Sequence, residues 1–272
     1  MDLSTALGLL IGLIGIGYGM FREGGGPQAF IQDSAFMIVV GGTVGAVLIS
    51  FPLRQVLLVP RAIQKSFFYR EPISAAEIVE IFVRLADKAR REGLLALEEE
   101  EESLPDPFLR KGVQLVVDGT EPELIRSVLE IDIELMQKRH TEATKVLEAA
   151  GGYAPTMGII GTVMGLVGVL QRLEDPSELG HAVAVAFVAT FYGILTANLF
   201  WLPLANKLKQ RTEQEVLLRQ LMLEGVMAVQ SGENPRIIRS KLEGFLPPAA
   251  RQAGPASTPA QTPAQPAEAT RT

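Results

Sequence analysis

The chain has no cysteine and only two histidines in 272 residues. It therefore has no disulfide framework, no thiol nucleophile and no cysteine-bound metal. His140 and His181 fall on opposite sides of a membrane in the topology derived below, so they do not share a metal ion. No glycine-rich phosphate loop leads into a basic residue, and no nucleophile shares a compartment with a histidine, so an enzyme reading has little to stand on. The formal net charge of −6 argues against nucleic acid as a partner. The most informative lack is local: Leu3–Phe21, Ser34–Leu53, Ala149–Gln171 and Gly180–Asn206 contain no Asp, Glu, Lys or Arg at all.

Each of these stretches is close to or above the roughly 20 residues a helix needs to cross the hydrocarbon core. With an apolar content of 47%, they predict an all-α membrane protein with four transmembrane helices. The first stretch has Asp2 where a signal peptide has a basic start, and it lacks a small-residue cleavage site, so it is expected to be retained. Arg54, Arg61, Lys65 and Arg70 follow the second stretch, and Lys207, Lys209 and Arg211 follow the fourth. The two short loops, Arg22–Asp33 and Arg172–Leu179, carry more acid than base. By the positive-inside rule both termini and the long middle section face the cytoplasm.

The middle section reads as helical. Ser74 and Glu77 form a capping-box signature, followed by an apolar face at Ile78, Ile81, Phe82 and Leu85. Gly93 ends that helix, and Leu104-Pro105-Asp106-Pro107 is a turn. Thr120 is expected to cap a further helix running through Leu147 toward the third span. Beyond the fourth span an amphipathic helix continues to about Val229, followed by a short piece with Ile237, Ile238, Leu242 and Phe245. The expected organisation is an N-terminal membrane hairpin (1–53, spans 3–21 and 34–53) and an inserted helical cytoplasmic domain (54–148). A core membrane pair follows (149–206, spans 149–171 and 180–206), then C-terminal helices (207–246). The Pro/Ala-rich tail 247–272 reads as disordered.

Within the third span, Gly158, Gly161, Gly165 and Gly168 recur at helical spacing and form one small-residue stripe. Gly8, Gly12, Gly15 and Gly19 do the same in the first span, and Gly41, Gly42 and Gly45 crowd the second. Such stripes let helices approach closely where the hydrophobic effect gives no drive. Packing within one subunit accounts for the first two spans. In the third, Thr162 beside the stripe suits either that or a foreign helix along a narrow polar path. Thr190, Tyr192, Thr196 and Asn198 add oxygen-bearing side chains in the fourth span. A hard cation is suited by oxygen ligands, whereas a proton route needs a titratable group. With no carboxylate in any span, any membrane carboxylate must come from another polypeptide. Pro155 and Pro203, near the cytoplasmic ends of the third and fourth spans, read either as helix-end residues or as a hinge pair.

The segments Gly41–Pro52, Ala86–Glu101, Gly152–Leu170 and Val185–Leu208 together resemble the MotA/PomA family of flagellar motor stator proteins, over roughly residues 1–245. The resemblance implies a ring of five subunits around two copies of a single-span, peptidoglycan-anchored partner, MotB or PomB, which supplies the ion-binding aspartate. It implies a multi-pass protein of the bacterial inner membrane that passes Na+ or H+, holds no cofactor, and drives the rotor protein FliG. By position, Arg90 and Glu98 match the charged pair that engages the rotor, with Arg91, Glu99 and Glu101 in the same patch. A solvated charged face is the plainer reading of those residues. Pro155 and Pro203 match the prolines linked to conformational coupling. The stripe Gly158, Gly161, Gly165 and Gly168 would face the partner helix. Thr162 and Thr190 resemble the threonines of the sodium-driven branch and favour sodium. The alternative is an ExbB/TolQ-type energiser of outer-membrane processes, normally with three spans. A transporter acting alone would carry internal repeats, and none is found.

Overall fold

The computed structural model describes residues 3–22, 30–67, 73–171 and 176–246. The tail from 247, Arg70 and most of both short loops lie outside the described residues. Among those residues the secondary structure is helical, with no strand. In order, α1 is Leu3–Arg22, α2 Asp33–Ser50, α3 Leu53–Val56, α4 Val59–Phe67 and α5 Ala75–Glu92. A 3-10 turn, Leu94–Leu97, leads to α6, Glu98–Glu101, and α7 is Pro107–Val117. The long α8 is Pro122–Leu170 and α9 is Pro176–Thr196. A π-turn, Ala197–Trp201, joins α9 to α10, Leu202–Gln230, and α11 is Pro235–Leu242.

Four helices are long and apolar enough to cross a membrane: α1, α2, the second half of α8, and the helix from Val183 into α10. The helix of the third span is therefore continuous with the charged helical pattern before it, as expected. It starts at Pro122, with its first backbone bonds running to the carbonyl of Glu121 rather than from a Thr120 cap. Proline at the first helical position lacks only a donor that would have been unpaired anyway.

Packing divides the chain into two compact units, Met1–Glu71 with Glu130–Leu218, and Pro72–Leu129 with Arg219–Thr272. Residues 54–67 and 130–148 fall in the same unit as the spans, and the C-terminal helices divide between the two units.

In the first unit the spans alternate in direction. At one end, Val47, Val146, Leu147, Ala150, Leu204 and Ala205 form a buried cluster, the Ser50 and Tyr153 hydroxyls meet at 2.8 Å, and the Lys207 ammonium donates to Ser4 and Thr5 at the start of α1. At the other end Tyr192 donates to the carbonyl of Phe30, accepts from the backbone N–H of Gln32, and packs edge-on against Phe36. The residues at chain positions 4–5, 50, 153 and 207 thus share one end of the bundle.

In the second unit α5 buries Ile78, Phe82 and Leu85, and α11 buries Ile238 and Leu242. The Ser74–Glu77 capping box forms as expected. Arg239 bonds both carboxylate oxygens of Glu80, at 2.5 and 2.7 Å. That bond holds the Glu80 carboxyl below its ordinary value. Burial pushes Glu224 up, but bonds from Arg126 and Lys241 outweigh it and leave the carboxyl lowered.

Candidate functional site

Thr162 on α8 and Thr190 on α9 are brought together within the first unit, and their hydroxyls share a hydrogen bond. The single Thr162 hydroxyl proton is within reach of the carbonyls of Ala186 at 2.9 Å and Gly158 at 3.1 Å, and Thr190 Oγ1 reaches the Gly158 carbonyl at 3.5 Å. Two hydroxyls and two carbonyls therefore converge between two spans. All four ligand atoms are neutral oxygens, the type that hard cations prefer. None can take up and release a proton near neutral pH. Among the described residues no three His, Asp or Glu side chains gather into a metal site.

The convergence depends on glycine. A Cβ on Gly158 would stand 2.9 Å from the Ala189 carbonyl oxygen and 3.0 Å from Thr190 Cα. On Gly161 it would meet Ala189 Cβ at 2.6 Å, and on Gly165 Ala186 Cβ at 2.6 Å. The space a side chain would take at Gly158, Gly161 and Gly165 is thus filled by α9 of the same chain. The small residues opposite them, Ala186, Ala189 and Gly193, complete a seam in which backbones touch backbones. Of this stripe, Gly168 alone has nothing within 4 Å among the described residues. In the first span Gly12 meets Leu199, and nothing among the described residues lies within 4 Å of Gly8, Gly15 or Gly19.

The prolines bracket the same seam. Pro155 lies inside α8, where the chain makes close contact with α9: a Cβ on Gly193 would sit 3.1 Å from Pro155 Cα. Pro203 follows the π-turn Ala197–Trp201, and the wider turn absorbs the bond that Pro203 cannot donate to the preceding turn. Gly151, one turn before Pro155, is packed against the side chain of Leu202. Pro155 thus lies opposite Gly193, and Leu202, next to Pro203, packs one turn earlier on α8 at Gly151.

The charged patch belongs to the second unit. Gly93 takes φ +88, a conformation side chains rarely adopt, and reverses the chain after α5. Leu97 is fully buried and pins the return, which lays the acidic run Glu98–Glu102 beside α5. Lys88 reaches across to Glu99 at 2.9 Å and Glu100 at 3.3 Å, and the bond to Glu99 raises the Lys88 ammonium above its ordinary value. Arg91 pairs with Asp87 at 2.6 Å. Arg90, Glu98 and Glu101 make no ion pair among the described residues. The patch is thus sorted into internal braces, Lys88, Arg91, Glu99 and Glu100, and outward charges, of which Arg90 and Glu98 are exposed.

Sequence reasoning missed Lys88 and Glu100, because their bond spans the Gly93 reversal and no single-helix spacing reveals it. It also missed Ala186, Ala189 and Gly193, although the small-residue run from Ala182 to Gly193 was the available signal. Thr43 was passed over as one small residue among the glycines of α2. Its hydroxyl is buried and has no hydrogen-bond partner among the described residues.

The model of the MotA/TolQ/ExbB proton channel family matches residues 100–221. The chain is 39% identical over 247 residues to Motility protein A of Bacillus subtilis, which covers 91% of this chain and 92% of that one. It is 40% identical over 248 residues to Chemotaxis protein PomA of Vibrio alginolyticus, covering 90% of this chain and 96% of that one. The solved structure of the flagellar MotAB stator complex from Bacillus subtilis matches with a TM-score of 0.86 at 38% identity, over 91% of this chain and 97% of the other.

Proposed function

Because the chain belongs to the MotA/PomA family of flagellar motor stator subunits, within the MotA/TolQ/ExbB proton channel family, we propose that it couples sodium flow to torque. It is a membrane-embedded channel component and not an enzyme. In this reading five copies surround two copies of a single-span MotB/PomB-type partner in the bacterial inner membrane, with both termini in the cytoplasm. The partner supplies the membrane aspartate, since the charge-free stretches 3–21, 34–53, 149–171 and 180–206 of this chain contain no carboxylate. Gly168, the open member of the third-span stripe, is left for the partner helix. Arg90 and Glu98 engage FliG, and Pro155 and Pro203 couple ion passage to movement of the spans.

The observation that carries the sodium reading is the convergence of the Thr162 and Thr190 hydroxyls with the Gly158 and Ala186 carbonyls. A cation stripped of part of its water shell needs such oxygens, and a proton does not. The test is swimming speed against sodium concentration at fixed pH and ionic strength, in a stator-less strain expressing this chain with its partner. Speed should rise with sodium, and Thr162→Val with Thr190→Val should abolish that dependence. Sodium-independent swimming that stops with a protonophore would make the ion a proton and the threonines packing residues.

A further inference from the structure

After α2 ends, the chain turns at Pro52 and forms two short helices, α3 and α4, before leaving the first unit. Their inner side is anchored. Val59 is buried in the cluster of Val47, Leu147, Ala150 and Leu204, and Val56 and Ile63 pack against it. Their other side is apolar and basic together. Leu53 and Leu57 are 63% and 64% exposed. Arg54 and Arg61 are exposed and have no ion pair or hydrogen bond among the described residues. Between Ser34 and Arg70 the sequence has four bases and no acid. α4 also packs against α1, near the end where Lys207 meets Ser4 and Thr5.

The position of this strap decides what covers it. It begins three residues beyond the end of a membrane-spanning helix and rests on the bases of the neighbouring spans. Exposed leucines beside unpaired arginines at that level match the boundary where acyl chains give way to headgroups. A protein partner would be expected to supply acids from its own surface, whereas an anionic lipid supplies both the apolar and the negative part. We propose that α3 and α4 form a docking strap for anionic phospholipid, with Arg54 and Arg61 on the phosphate-bearing headgroups and Leu53 and Leu57 in the upper acyl layer. The proposal rests on the membrane-spanning fold and not on the identity of the coupling ion.

Trp201 is the only tryptophan and packs on the same cluster as Val56 and Ile63, so its fluorescence reports on lipid near the strap. The full chain is reconstituted in vesicles of mixed phosphatidylcholine and phosphatidylglycerol, with bromine on the chains of one lipid or the other. The expected result is preferential quenching by brominated phosphatidylglycerol, with up to about a 30-fold preference at low salt from two arginines at an anionic surface, shrinking as salt rises. Arg54→Gln with Arg61→Gln should bring the preference close to that of a neutral surface, while Arg22→Gln at the other end of α1 should leave it unchanged. Equal quenching by the two lipids around the unaltered chain would overturn the proposal. So would a double variant that keeps the preference but changes the oligomeric state by size-exclusion chromatography, since that would place the arginines between copies of the chain.

Discussion

Replacing Gly158 by alanine adds one methyl group at the seam between α8 and α9. That methyl would stand 2.9 Å from the Ala189 carbonyl oxygen, 3.0 Å from Thr190 Cα and 3.4 Å from Gly193 Cα. All three are backbone atoms, so no rotamer can swing aside, and the helices must part by about half an ångström to restore ordinary contact. Overpacking of this kind costs about 1–3 kcal/mol. Alanine returns about 1 kcal/mol through its better helix propensity, so the variant should be destabilised by up to about 2 kcal/mol. Gly152→Ala, also on α8, serves as the reference, because nothing among the described residues lies within 4 Å of its added methyl. It should be neutral or slightly stabilising. The assay is denaturant titration of the two full-length variants in the same detergent, followed by far-UV circular dichroism. Parting the helices also pulls Thr190 from Thr162, so Gly158→Ala should swim more slowly at a given sodium concentration. If the two variants unfold at the same midpoint and swim alike, the seam is not close-packed and the oxygen cluster does not depend on it.

Arg90→Glu or Glu98→Lys should weaken motility while the protein assembles normally, and opposite changes on the rotor should restore part of the torque. Full torque in the double variant would remove both residues from the rotor contact. Lys88→Ala should also weaken torque, by freeing Glu99 and Glu100 from their brace, and a patch insensitive to it would mean that the brace does not position Glu98. The Glu80 carboxyl is lowered by its bond to Arg239. Its stabilising contribution is therefore complete above the ordinary carboxylate value near 4.5 and is lost as pH falls through the lowered folded value. Glu80→Gln should flatten the acid-unfolding curve below that point, and an unchanged curve would mean that the Arg239 bond does not persist in solution.

The features legible in the sequence were those with a local cause. The Ser74–Glu77 box, the reversal at Gly93 and the four charge-free spans each follow from neighbours within a few residues. The expected start of α8, with Thr120 as cap, falls one residue early, because Pro122 takes the first helical position and leaves Glu121 as the flanking residue. The glycine stripe of α8 was read for its spacing, which gives its face correctly, but spacing cannot name the surface opposite. That required seeing Ala186, Ala189 and Gly193 as the complementary half, and alanine is too common in membrane helices to stand out. Thr162 and Thr190 could be picked out individually by resemblance. Their meeting through Gly158 is a tertiary fact with no counterpart in either span alone. The division of the acidic run into braces and outward charges was hidden for the same reason, since Lys88 and Glu99 are neighbours only after the chain has turned.

The Gly–Ala seam has a mechanical consequence. Most helix pairs slide or rock by letting side chains change rotamer, each one a small spring between the two rods. Here the contact is made by hydrogens, methyls and backbone atoms, which have no alternative rotamers. Such a joint has almost no compliance of its own. Force applied to α8 passes to α9 as it would through a single beam, and bending is left to the level of Pro155 and the π-turn before Pro203, where the helical hydrogen bonding is already interrupted.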